Sequence, residues 1–161
     1  MFKSALKKQS GFTLIELLVV ILIIISLAVV VFVALNPAER LADSRDARRT
    51  ADVDSILSAV HQYIIDQRGI TTGLSLTSTA DFQLVTAATT SCAVATGGCS
   101  VAATACVALG TVLAPYLASL PQDPSNTTPL IGTGYAVRQD ANGIITVKAC
   151  GSEEGSLSAS R

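Results

Sequence analysis

The feature that leaves this chain least freedom is an apolar run over residues 12–35 that carries one charge, Glu16. As a helix, at about 1.5 Å per residue, it spans roughly 36 Å, enough to cross a hydrocarbon core of about 30 Å. Three lysines, Lys3, Lys7 and Lys8, precede it, and no acid does. That bias holds the N-terminus on the cytoplasmic side and sends the remainder across the membrane. The run therefore predicts a membrane rod with an exported head.

Glu16 is out of place in such a run. A carboxylate inside a membrane helix costs on the order of 2.5–3.5 kcal/mol even on lenient insertion scales, which implies a partner or a function. Ser26 lies about 15 Å further along the axis and carries no charge. The expected partner is therefore outside the helix. A cut after Gly11 frees the α-ammonium of Phe12. A second copy, shifted along the axis, then offers that amine to Glu16 and closes a chain of such pairs.

The lysine-rich leader, Gly11-Phe12-Thr13-Leu14-Ile15-Glu16 and the aliphatic run that follows resemble the class III signal of type IV prepilins and related pseudopilins. The resemblance is tight over residues 7–35 and one of layout beyond. It implies a prepilin peptidase that cuts between Gly11 and Phe12 and methylates the Phe12 amine. It implies that Glu16 registers neighbouring subunits in a homopolymer. An assembly ATPase and a platform membrane protein are its further implied partners. A secretory signal peptide fits less well, because its apolar region is shorter, about 7–15 residues, and ends in a small-x-small site. A simple uncleaved anchor leaves Glu16 and the Gly-Phe boundary without a reason.

The layout predicts four parts: a cleaved leader over 1–11, a membrane and filament-core helix over 12–35, an amphipathic continuation over 36–69 and a head over 70–161. The expected fold class is α+β, a long helix on a small antiparallel sheet with a disulfide-stapled head. Aromatics make up only 4% of the chain and Trp is absent, so the head has a modest core that benefits from staples. Without the leader lysines, eight basic side chains face twelve acidic ones, a net charge near −4. That balance argues against a basic nucleic-acid surface.

Cys92, Cys99, Cys106 and Cys150 all lie in the exported part. An even number of cysteines in an oxidising compartment predicts two disulfides, with three connectivities open. The favoured pairing is Cys92 with Cys99, closing a small Gly-Gly loop, and Cys106 with Cys150, tying the end to the body. The even spacing does not match a zinc site, whose ligands come in close pairs.

Asn36-Pro37-Ala38-Glu39 combines a helix break with a helix start: Pro37 cannot donate to Val33, while Asn36 and Glu39 occupy capping positions. A bend is expected near residues 33–37. The charges from Glu39 to Asp54 alternate in sign, with Arg48/Asp52 and Asp46/Arg49 at helical spacing. They read as a solvated face, or in a filament as a face toward neighbouring copies. Val53, Leu57, Val60 and Ile64, edged by Ile56 and Tyr63, form the stripe that packs on a sheet. His61, the one histidine, is expected to be a partly solvated helix residue. Gly69 is the expected stop.

Residues 73–77 alternate weakly as a strand, 81–85 suit a short helix or a strand, and 86–108 show no period and suggest a disulfide-held loop. Asn126-Thr127-Thr128 fits a glycosylation sequon by pattern. Residues 111–120 predict a short helical turn opened at Pro115. The Tyr116…Pro121…Asp123-Pro124 wording resembles the loop before the last strands of pilins and major pseudopilins, several of which bind calcium nearby. Asp123 is the only acid between Asp81 and Asp140, too few for calcium's usual oxygen set. No cofactor is expected. Residues 134–139 and 144–149 predict a hairpin across Asp140-Ala141-Asn142-Gly143, and the polar stretch 151–161 is expected to fray.

No nucleophile–base–orienter set and no phosphate-cradling loop occurs, so the sequence predicts no enzyme. The expectation is a type IV pilus subunit in the inner membrane before assembly and at the cell surface after it. The first alternative is a type II secretion pseudopilin, the second a membrane-tethered binding module that keeps its leader.

Overall fold

The structure is a computed structural model that describes residues 11–76, 82–87, 99, 101–125 and 132–161, with backbone alone for 101–105. The leader up to Ser10, Asp81, Cys92 and the sequon at Asn126 lie outside the described residues. By contacts the chain forms two units, Met1–Arg40 and Leu41–Arg161.

In the first unit, α1 spans Leu14–Leu35 and has no buried residue. Aliphatic side chains cover its whole circumference, as hydrocarbon rather than water demands. Ser26 closes its hydroxyl onto the Ile23 carbonyl oxygen at 2.8 Å, so it exposes no unsatisfied donor. The helix stops at Asn36, in the left-handed region at φ 38°, and α2 (Pro37–Asp66) starts at the proline. The Asn36 amide donates to Glu39 at 2.7 Å. The expected break therefore falls on one residue, because Pro37 withholds the N–H that would carry the ladder through.

In the second unit, the body of α2 lies on a five-stranded sheet of order β2-β1-β3-β4-β5. The strands are β1 Phe82–Thr86, β2 Val101–Ala108, β3 Tyr135–Gln139, β4 Ile145–Ala149 and β5 Ser158–Ser160. Val53, Ile56, Leu57, Ala59 and Val60 of α2 are buried against Val85, Val107, Tyr135, Val137, Ile145 and Val147. Ile56, expected at the stripe's edge, is fully buried at its centre, and Ile64 is only partly buried. The β3–β4 hairpin forms where the alternation placed it. The Asp140 carboxylate accepts from the Asn142 and Ile144 amides, and Gly143 supplies φ +86°.

Five expectations fail for identifiable reasons. The sheet is mixed, since β1 and β2 run parallel while the other pairs are antiparallel. Residues 87–100 are long enough for the crossover that a parallel pair requires. The aperiodic 86–108 thus contains strand β2, whose Ala/Thr/Val wording carries no alternation. Residues 72–74 form a 3-10 turn rather than a strand. The segment 151–161 is not frayed: β5 pairs with β4, and Leu157 and Ala159 pack against the core. The expected stop at the end of α2 is met, with Gly69 left-handed at φ 89°, and Arg68 before it is left-handed too, at φ 55°. The Gly69 amide closes onto Ile64 at 2.8 Å and the Arg68 amide onto Ile65 at 3.0 Å, which puts Arg68 at the position glycine usually takes.

The disulfide pairing is the fifth. Cys99 is bonded to Cys150, with Cα atoms 4.9 Å apart, and Cys106 is bonded elsewhere. The favoured Cys106–Cys150 link is excluded by topology. Cys106 sits on β2 beside Leu84 and Cys150 follows β4, so three strand spacings, roughly 14 Å, separate them. A disulfide bridges Cα atoms no more than about 7 Å apart.

Candidate processing and assembly site

Gly11 and Phe12 precede α1 in non-helical, exposed chain, with Phe12 91% exposed. A Cβ added at Gly11 would meet nothing within 4 Å. The chain itself has no steric need for glycine there, so any such need lies with whatever binds the Gly11–Phe12 bond.

The next residues form a capping box that sequence reasoning missed. Thr13 is the N-cap of α1: its Oγ1 accepts from the Glu16 amide at 3.3 Å. The Glu16 carboxylate accepts in return from the Thr13 amide at 2.9 Å and from Thr13 Oγ1 at 2.8 Å. Glu16 therefore has a partner in its own chain, contrary to the expectation of none. The signal was present as Thr-x-x-Glu directly before an apolar run. Thr13 serves one face of one carboxylate oxygen and brings no charge. Both bonds go to one carboxylate oxygen, and Phe12, Ile15, Leu17, Val19 and Val20 line an open apolar pocket together with Glu16.

The charged half of α2 is the second assembly candidate, and here the solvated-face reading is corrected. Arg49 is fully buried and Asp46 nearly so. The Arg49 guanidinium donates to both oxygens of Asp123, at 2.8 and 3.0 Å, to Asp46 at 2.6 Å, to Glu153 at 3.3 Å and to Ser125. Arg45 donates twice to Glu153 at 2.6 Å. The amides of Glu153 and Glu154 donate to the Asp46 carboxylate. Asp123 is fixed by its own amide, which donates to the Thr133 carbonyl at 2.8 Å, and Thr133 in turn donates to Val85 of β1. One cation thus joins the helix, the loop at 123–125 and the segment after β4.

The electrostatics follow from that geometry. Burial alone would raise the Asp123 and Asp46 carboxyls, but hydrogen bonds from Arg49 and from nearby amides outweigh it and hold both below the ordinary range. Glu153 is held low chiefly by Arg45. Arg49 keeps its proton more firmly than a free guanidinium, first because of Asp123. Tyr135 is pushed up by burial and by the bond it donates to Asp52 at 2.7 Å. Both Asp123 oxygens accept from Arg49, and one also accepts from the Ser125 amide. Among the described residues no cluster of three or more His, Cys, Asp or Glu is arranged around a metal position. His61 is half-buried, with Nδ1 donating to the Leu57 carbonyl at 2.8 Å, and stands apart from both sites. On the exposed side, Arg48 and Asp52 approach only to 3.9 Å.

Residues 6–34 match the prokaryotic N-terminal methylation motif. That match, the apolar α1 with its single acid, and a helix packed on a disulfide-stapled sheet support a type IV pilin-like protein, pilin or pseudopilin, and are consistent with the pilin fold. Comparison with curated proteins and with solved structures finds no match.

Proposed function

We propose that this chain is the structural subunit of a type IV pilus. Prepilin peptidase cuts it between Gly11 and Phe12 and methylates the new amine, and its copies polymerise through α1. The observation that carries the reading is one acid, Glu16, on a helix that is apolar on every side and buried nowhere in its own chain. Before assembly that helix lies in the inner membrane with the lysines on the cytoplasmic side. In the fibre it is covered by other copies, and the methylated amine of one Phe12 meets the free oxygen of another copy's Glu16. Lipid is as apolar as a helix bundle, so burial alone does not draw the subunit from the membrane. The platform protein and the ATPase supply that work.

Intact-mass measurement on purified fibres tests the reading. Loss of residues 1–11 with one added methyl on Phe12 is expected; an untrimmed, solitary chain overturns it. Glu16→Ala is expected to be trimmed normally and to yield few fibres, whereas wild-type yield removes the registering role. A pseudopilin shares the same motif, and visible surface fibres at native expression favour the pilus reading over it.

A further inference from the structure

Residues 151–161 are held to the head by a disulfide at their start, by ionic contacts, by strand pairing and by apolar packing. At their start, Cys150 is tied to Cys99. Three and four residues on, Asp46 accepts from the Glu153 and Glu154 amides, and Glu153 reaches Arg45 and Arg49. After a turn at Gly155, φ +93°, the chain comes back as β5 on the edge of β4. There Ile145 and Arg161 exchange amide bonds at 3.0–3.1 Å, and the Ala149 amide donates to Leu157 at 2.9 Å. An edge strand of three residues is below the length at which a pair holds by itself. Past Cys150, Leu157 and Ala159 add apolar packing against the core, and the attachments that protonation can remove are the ionic ones.

We propose that residues 151–161 form an acid-released strap, which lifts from β4 when Asp46 and Glu153 take up protons while the disulfide and the α2–sheet core stay closed. The charged groups around the two carboxylates are Arg45 and Arg49 from α2, Asp123 with Ser125 from the loop, and Glu154 of the strap itself. Tyr135 of β3 faces Arg49 and Asp123 from the sheet, its hydroxyl committed to Asp52. Arg45 and Arg49 are shared among Asp46, Asp123 and Glu153, so neutralising Asp46 or Glu153 removes an ionic acceptor of the strap contact. Both carboxyls are held low when docked. Their contribution is thus complete above their ordinary values, 3.8 for Asp46 and 4.5 for Glu153, and is lost as the pH falls below these. The β3–β4 strands are joined by backbone hydrogen bonds, and the α2 face is held by apolar packing. This device is independent of whether the chain polymerises.

Amide hydrogen exchange on the full chain in detergent micelles, at about pH 7 and about pH 3 and corrected for intrinsic rates, tests the strap. In acid, the amides of Ile145, Ala149, Glu153, Glu154 and Arg161 are expected to lose protection at least about ten-fold more than those of Leu109, Thr133 and Cys150. Glu153→Gln and, separately, Asp46→Asn are expected to show the same selective loss at neutral pH. Glu153→Gln keeps the size and most hydrogen bonds, so it separates ionisation from misfolding. Equal loss in both sets of amides, retained protection of the strap in acid, or wild-type protection in both variants at neutral pH overturns the proposal.

Discussion

Arg49 shows how little a residue's type reveals of its place. Its spacing from Asp46 was plain in the sequence, but a run of mixed charges on a helix reads as a wet face, because arginine and aspartate are seldom fully buried unless paired. The partner that takes Arg49 inside, Asp123, lies 74 residues away, and no local pattern points to it. Once buried, the guanidinium is required. Removing it leaves buried Asp123 without the guanidinium that pairs with it and Asp46 with only the more distant Arg45, whereas in the wild type each donor in its fork is matched to an oxygen. Arg49→Ala is expected to lower the unfolding free energy by about 3–5 kcal/mol, measured by denaturant titration of the full chain in micelles. Arg49→Lys restores the charge but not the fork, and is expected to recover only part of the loss.

Among the elements, those set by short-range physics were legible and those set by distant pairing were not. An apolar run with one acid determines α1, and Asn-Pro determines its end. Alternation around Asp140-Ala141-Asn142-Gly143 determines the hairpin. Strand β2 finds its neighbour through a parallel crossover, and β5 is Ser-Ala-Ser, which has no pattern to read. The Thr13–Glu16 box is written in the sequence as Thr-x-x-Glu before an apolar run, and it is masked there because the charge of Glu16 in a membrane run is the stronger signal. The end of α2 offers a test at this scale. Arg68 occupies a left-handed position that costs an L-residue with a side chain about 1–2 kcal/mol, part of which glycine returns in lost chain freedom. Arg68→Gly is therefore expected to raise stability by about 0.5–1 kcal/mol, seen as a higher denaturation midpoint at unchanged slope.

At the scale of the whole molecule, the head is small, poor in aromatics and closed by bonds between remote parts of the chain. The Cys99–Cys150 link spans 51 residues, and it lies on the sheet face opposite α2 with Leu84, Ala136 and Phe82 around it. It fastens the start of β2 to the end of β4 across the sheet. Replacing both cysteines by serine is expected to reduce the unfolding free energy by roughly 2–4 kcal/mol, read from denaturation under oxidising conditions that leave the Cys106 bond intact. One detail of the ionic cluster has a consequence for ancestry. Gly151 has an ordinary backbone conformation, yet a methyl group there would stand 2.9 Å from an Asp123 oxygen and 3.4 Å from Arg49. The atoms nearest to such a methyl group all belong to the arginine–aspartate couple. In a lineage that has given up that couple, position 151 should be free to diversify, and in one that keeps it, glycine should be inherited unchanged.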